Sequence, residues 1–145
     1  MFKVENKGNQ LGKLLGIDFG AKNVGLAVTD ESRQFVFGRG CIENYPSLVA
    51  LFMQIGEVCE AERITGIVFG VPLAENLEET PRTKEYREVG AKLEAFFEGK
   101  MEVVFQDEAF STFEGGEAIS DPNLKKKYNS HELAAMVILE RFIGA

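Results

Sequence analysis

The 145-residue chain has the length of one domain, and its 45% hydrophobic and 27% charged residues are typical of a globular protein with a buried core. A net charge of −7 argues against a protein held to nucleic acid by charge alone. Cys41 and Cys59 give neither a disulfide framework nor a metal-ligand spacing, so a reducing, cytoplasmic setting is the default. No segment reaches the roughly 18 apolar residues that a membrane span needs.

The N-terminal half of the chain predicts three strands joined by short connections. Residues 1–13 are polar and predict a flexible tail, ahead of a single domain over residues 14–145. The mostly apolar stretch LLGIDFG predicts a buried strand, and two more strands follow at about 24–29 and 34–42. Short connections indicate that these three strands form an antiparallel meander.

Helical periodicity then alternates with short apolar runs. A helix is predicted over about 46–62, followed by a strand at 64–69 that Gly70 and Pro72 break. A second helix, capped by Thr80, is predicted from Pro81 to near Gly99, and a strand follows at 102–106. A Lys-rich loop then leads to a buried helix at about 131–143, capped by Asn129 or Ser130. The order β-β-β-α-β-α-β-α predicts an α/β fold, a five-stranded mixed sheet with helices on both faces.

Three carboxylates stand out against this pattern. Asp18 lies within an apolar strand, where a carboxylate needs a partner or a metal, although it could also cap a turn or bridge strands. Asp107 and Glu108 follow the fifth strand, at the kind of strand end where ligand sites collect, although they could instead lie on an exposed loop. Adjacent strand residues point to opposite faces, so only one of these two can join Asp18.

His131 is the only histidine, at the start of the last helix. A lone histidine is more often structural, but a neutral imidazole can also bind a divalent metal or transfer a proton. Glu132 points about 100° away around the helix, so it cannot simply replace its neighbour.

Other polar residues are candidates for binding phosphate. Ser111 and Thr112 could bind phosphate or cap a turn. The basic clusters are Arg82, Lys84 and Arg87, and Lys125, Lys126 and Lys127; both could equally be solvated surface.

Several well-known active-site motifs are absent from the sequence. There is no phosphate-binding GxxxxGK[ST] loop, no zinc-ligand spacing and no GxSxG elbow. The DFG triplet does not indicate a kinase, because it lies in the first strand of a short chain without an HRD loop.

Taken together, five segments resemble the YqgF family, also called RuvX, of ribonuclease H-like proteins. GIDFGAKNVGLAVTD resembles its opening strand-turn-strand, GIVFGVPL its strand ending in G-[LV]-P, VVFQDEAFSTFE its D-E-R-x-[ST]-[ST]-x-E segment, and ELAAMVILERFI its last helix. The TPRTKEYREVGAKLE stretch resembles the helix that begins near a Pro-Arg pair. The resemblance covers nearly the whole chain.

The resemblance implies a ribonuclease H-like fold in which Asp18 and Glu108 are catalytic, metal-binding acids. His131 stands where the family has its third acid, and Ala109 stands where the family has an arginine. By the same resemblance, His131 is a weaker metal ligand, a phosphate contact or a general base. The residues implied to bind substrate are Gly20, Lys22, Arg82, Ser111 and Thr112.

The implied activity is hydrolysis of phosphodiester bonds assisted by two Mg²⁺ or Mn²⁺ ions. The expected substrate is nucleic acid, either the 5′ end of precursor 16S ribosomal RNA or branched DNA, acted on by a monomer or homodimer. The alternative is a nucleic-acid-binding or regulatory protein of the same fold with weakened or lost activity, motivated by His131 and Ala109. A nucleotide-binding relative of the actin-like ATPases is a third reading, but that fold normally needs two such domains.

Overall fold

The computed structural model describes residues 12–44, 46–109 and 122–144, with a five-stranded sheet and four helices within those ranges. The strands are β1 (Lys13–Asp18), β2 (Asn23–Thr29), β3 (Val36–Glu43), β4 (Ile64–Pro72) and β5 (Glu102–Glu108). The helices are α1 (Leu48–Glu62), α2 (Pro81–Phe96), α3 (Pro122–Lys127) and α4 (Ser130–Gly144). No helix in these ranges is long and apolar enough to cross a membrane.

The sheet has the strand order β3-β2-β1-β4-β5. β1 pairs antiparallel with β2, and β2 pairs antiparallel with β3, as the short connections predict. β4 returns through α1 to lie parallel to β1, and β5 returns through α2 to lie parallel to β4. The predicted mixed sheet is therefore confirmed, and β1, β4 and β5 end at the same edge.

Two apolar layers cover the sheet. α1 and α2 pack on one face through a core that includes Ile17, Phe69 and Leu93. α4 packs on the other face, where Leu139 lies over Gly16 of β1 and is fully buried. The predicted placement of helices on both faces is confirmed.

The observed ends of three elements differ from the predicted ends. β4 does not break at Gly70 but continues to Pro72, and β5 continues to Glu108, because parallel pairing of the two strands extends to those residues. Pro72 is tolerated there because the pairing of β4 with β1 has already ended at Phe69, so no β1 residue needs its missing N–H group. The second helix was predicted too long, since it ends at Phe96 rather than near Gly99.

Two further differences concern segments predicted to lack regular structure. Lys13, assigned to the tail, is the first residue of β1 and pairs with Ile64; residues 1–11 lie outside the described residues. The Lys-rich segment predicted as a loop contains the short helix α3. α4 begins at Ser130, one residue earlier than predicted, with Asn129 as the capping side chain.

Hydrogen bonds at the starts of α2 and α4 connect both helices to the sheet. The Asn129 side chain accepts from the Glu132 N–H at 2.8 Å, and the Glu132 carboxylate accepts from the Asn129 N–H at 3.0 Å. The same carboxylate accepts from the N–H of Gly40 on β3. At α2, the hydroxyl of Thr83, which is fully buried, donates to the carbonyl oxygen of Pro72.

Candidate active site

The alternation of side chains along the parallel strands brings two carboxylates to one end of one face. Asp18 is the last residue of β1 and Glu108 the last residue of β5, with β4 between them. Asp18 therefore lies at the end of its strand rather than in the middle, as the sequence had suggested. Both side chains line one cleft beside α4.

The cleft is narrow and opens to solvent on one side. Its floor is the end of β4, and its walls come from α2 and α4. The residues that line it are Asp18, Gly70, Val71, Pro72, Arg82, Tyr86, Glu108, Ala134 and Ile138. Two acids, one arginine and a phenol thus face an otherwise apolar pocket.

Glu108 is the most unusual group in the cleft. It is only 4% exposed, and among the described residues its carboxylate oxygens have no hydrogen bond of good geometry, although Gln106 and Arg141 lie close enough to lower its pKa. Burial raises its pKa to about 7, against the positive charge of Arg141, whose Nη1 lies 3.2 Å from Oε1. Burying a carboxylate without hydrogen-bond donors costs free energy of folding, which a bound cation can offset.

Asp107, the neighbouring acid, points to the opposite face of β5. Its carboxylate lies 3.5 Å from Arg87 of α2 and is exposed. The prediction that only one of the two acids can join Asp18 agrees with this geometry, and the acid that does so is Glu108.

Arg82 and Tyr86 form a pair on the α2 wall. Arg82 Nη2 donates to the Tyr86 hydroxyl at 3.2 Å, and the guanidinium carbon lies 5.2 Å from the ring centroid. The Tyr86 ring is anchored edge-on against Phe19, with 5.2 Å between centroids. Burial raises the Tyr86 pKa, so its hydroxyl remains protonated. The pair therefore holds an exposed guanidinium at the mouth of the cleft.

His131 lies beside this cleft but does not line it. It precedes Ala134 by one turn on the same stripe of α4, and its side chain is half-buried. Its carbonyl oxygen lies against Gly25, which pairs with Asp18 in the sheet; a Cβ built on Gly25 would be 2.1 Å from that oxygen. Glu132 is occupied by its bonds to Asn129 and Gly40.

The other predicted substrate-binding residues lie outside the cleft lining. Gly20 and Lys22 belong to the turn after β1, where their carbonyl oxygens accept from the side-chain amide and the backbone N–H of Asn44, respectively. Gly20 is required there, since a Cβ would be 2.4 Å from the carbonyl oxygen of Asn23. Ser111 and Thr112 lie outside the described residues.

The acids fit a hard divalent cation. The carboxylates of Asp18 and Glu108 supply the oxygen ligands that Mg²⁺ and Mn²⁺ prefer. Within residues 12–44, 46–109 and 122–144, no group of three or more His, Cys, Asp or Glu side chains could hold a metal. Water and substrate oxygens would therefore complete the coordination, as is usual for Mg²⁺.

Sequence reasoning missed Tyr86 and Arg141 as polar groups of this site. Tyr86 lies within the helix predicted from Pro81 to near Gly99, where no local pattern distinguishes it from the other residues of that helix. Arg141 had a usable signal, because Ala134, Ile138 and Arg141 follow one another at helical spacing on the face that meets the sheet.

Comparison with known proteins agrees with this geometry. The model of the family described as RuvX, Holliday junction resolvase, matches residues 12–145. A candidate pre-16S rRNA nuclease of Maridesulfovibrio salexigens is 34% identical over 91% of this chain and 98% of its own. A relative of the same name from Oleidesulfovibrio alaskensis is 34% identical over 91% and 92%.

Two solved structures share the fold at 12% sequence identity. Thermus thermophilus RuvC, in complex with a Holliday junction substrate, has a TM-score of 0.55 and covers 91% of this chain and 96% of its own. The fowlpox virus Holliday junction resolvase has a TM-score of 0.53 and covers 90% and 96%. The architecture is thus ribonuclease H-like, and by the family match over nearly its whole length this chain belongs to the RuvX family.

Proposed function

We propose that this chain is a divalent-metal-dependent nuclease that hydrolyses phosphodiester bonds in precursor 16S ribosomal RNA, with branched DNA as the other substrate class. Family membership and the names of its relatives support nuclease activity on nucleic acid. The observation that supports the metal dependence is Glu108, a carboxylate buried in the same cleft as Asp18, for which the described residues provide an ion pair with Arg141 but no hydrogen bond of good geometry.

Each side chain of the cleft then has a defined role. Asp18 and Glu108 would hold Mg²⁺ or Mn²⁺, which polarises the phosphodiester and lowers the pKa of a bound water. Arg82 would bind a non-bridging phosphate oxygen, held in place by Tyr86. Ala134 and Ile138 limit water in the cleft, which strengthens these electrostatic interactions.

A cleavage assay with two matched acid variants tests this proposal. End-labelled precursor 16S RNA and a four-way DNA junction are incubated with protein in Mn²⁺, Mg²⁺ or EDTA. We expect D18N and E108Q to lose about 100-fold or more in rate, since each removes a metal ligand. D107N, which changes the acid on the other face of β5, is expected to retain activity. Cleavage in EDTA, or by D18N at the wild-type rate, would contradict the metal-dependent mechanism.

A second candidate function is nucleic-acid binding without cleavage. His131 motivates it, because a neutral imidazole in place of a carboxylate removes one negative charge and should weaken Mg²⁺ binding. In that case the wild-type protein binds the same substrates but cleaves none of them with any metal. H131D then separates the two cases, since restored Mg²⁺-dependent cleavage would place residue 131 within reach of the metal.

A further inference from the structure

Arg141 connects the buried acid of the cleft to solvent. It lies in the last turn of α4, and its Nη1 is 3.2 Å from Oε1 of Glu108. The Glu108 side chain is 5% exposed, whereas that of Arg141 is 47% exposed. The guanidinium therefore contacts a buried carboxylate through Nη1, and about half of the arginine side chain is exposed.

This ion pair has a consequence for a metal bound at the same carboxylate. A divalent cation at Glu108 would lie close to the guanidinium, and two like charges at short range in a poorly hydrated cleft repel each other. A substrate phosphate changes the sign of that interaction, because it attracts both the metal and the arginine. By this reasoning, Arg141 weakens metal binding at Glu108 in the free protein and strengthens it once a substrate phosphate is bound.

We propose that Arg141 couples metal binding to substrate binding. In the free protein it forms an ion pair with Glu108, and when a metal binds there its side chain pairs with a substrate phosphate instead. The inference rests on the proposed metal site at Glu108. Because such coupling is reciprocal, metal should also strengthen substrate binding by the factor by which substrate strengthens metal binding.

The two faces of β5 provide a matched control. Arg87 lies 3.5 Å from Asp107, as Arg141 lies 3.2 Å from Glu108, but its carboxylate partner faces away from the cleft. R141Q and R87Q therefore remove the same charge beside the same strand, and only R141Q removes it from the cleft acid. R141K keeps the charge and is expected to resemble the wild type.

The experiment measures Mn²⁺ binding by electron paramagnetic resonance, with and without a nuclease-resistant phosphorothioate oligonucleotide. E108Q gives the background of Mn²⁺ bound elsewhere, and thermal unfolding checks that each variant is folded. Without oligonucleotide, R141Q should bind Mn²⁺ about fivefold more tightly than wild type, whereas R87Q and R141K should not. The oligonucleotide should tighten Mn²⁺ binding to wild type about fivefold and to R141Q much less.

Two negative results have different meanings. Equal Mn²⁺ affinities for wild type and R141Q, with binding lost in E108Q, would overturn the role of Arg141 and leave the proposed metal site intact. Equal binding by wild type and E108Q would overturn the metal site and the inference together.

Discussion

At the residue scale, the burial that suits Glu108 to a cation makes it costly in the metal-free protein. Its carboxyl group ionises in the unfolded chain near pH 4.5, and burial raises the pKa of the folded group to about 7. Below pH 4.5 the group is neutral in both states, so it carries no ionisation penalty. Between pH 4.5 and about 7 the unfolded chain ionises more readily than the folded one, so stability falls; above about 7 both are ionised and the loss levels off.

This sign gives a measurable pH dependence. In EDTA, the free energy of unfolding of the wild type should fall between pH 4.5 and 8 by up to about 3 kcal/mol from this group alone. E108Q has no such ionisation, so its stability relative to wild type should rise over the same range. Urea denaturation at pH 5 and pH 8 measures the difference.

D107N is the matched control, because Asp107 lies on the other face of β5 and only slightly influences Glu108. It should keep most of the wild-type pH dependence. If E108Q and wild type follow the same pH dependence in EDTA, then Glu108 is not buried as described.

At the element scale, the position of α4 depends on glycines in the sheet. Gly25 of β2 lies directly under the carbonyl oxygen of His131, and Gly16 of β1 lies under Leu139. A backbone oxygen cannot rotate away as a side chain can, so the contact at Gly25 sets how closely the first turn of α4 approaches β2. The height of His131 above the sheet is therefore fixed by a residue without a side chain.

Substituting alanine at two glycines tests this packing. G25A should destabilise the fold by about 1–3 kcal/mol, since its Cβ would lie 2.1 Å from the His131 carbonyl oxygen. G56A, in the middle of α1, should instead stabilise by about 0.5–1 kcal/mol, because its Cβ meets the Phe97 ring at an ordinary 3.7 Å and alanine favours a helix. Urea denaturation of both variants provides the comparison, and a neutral G25A would show that α4 can shift at no cost.

At the scale of the whole molecule, the net charge of −7 repels nucleic acid, the proposed polyanionic substrate. Attraction is therefore local, and Arg82 at the mouth of the cleft is the best-placed cation for a phosphate. R82Q should weaken nucleic-acid binding and reduce the slope of log K against log salt concentration by about 0.7–0.9, the value for one phosphate contact.

Fluorescence anisotropy over a range of salt concentrations measures that slope, with EDTA present to prevent cleavage. K92Q removes one positive charge from an exposed position of the same helix that does not line the cleft, so its slope should match the wild type. Equal slopes for R82Q and wild type would mean that Arg82 makes no phosphate contact.

Much of the fold could be predicted from the sequence because its periodicities are clear. The apolar run before Asp18, the helical stripe from Leu48 to Cys59 and the Thr80-Pro81 helix start each specify an element locally. Strand ends could not be predicted as well, since β4 is extended to Pro72 by its pairing with β5, which is a non-local interaction.

The same division applies to the site. Strand alternation predicted that one of Asp107 and Glu108 could join Asp18, and the resemblance to the RuvX family implied that this acid is Glu108. The burial of Glu108, its contact with Arg141 and the pairing of Tyr86 with Arg82 depend on how two helices pack against that edge. Such contacts have no signature in a local pattern.

The carboxylate of Glu132 links the local dynamics of the start of α4 to those of the edge strand β3. Because it accepts hydrogen bonds from both Gly40 and Asn129, unwinding the first turn of the helix breaks a contact of the edge strand in the same event. We therefore expect local opening of the first turn of α4 to be coupled to fraying of β3 at Gly40. His131 belongs to that unit, so how long its imidazole stays in place depends on an edge strand that it does not belong to.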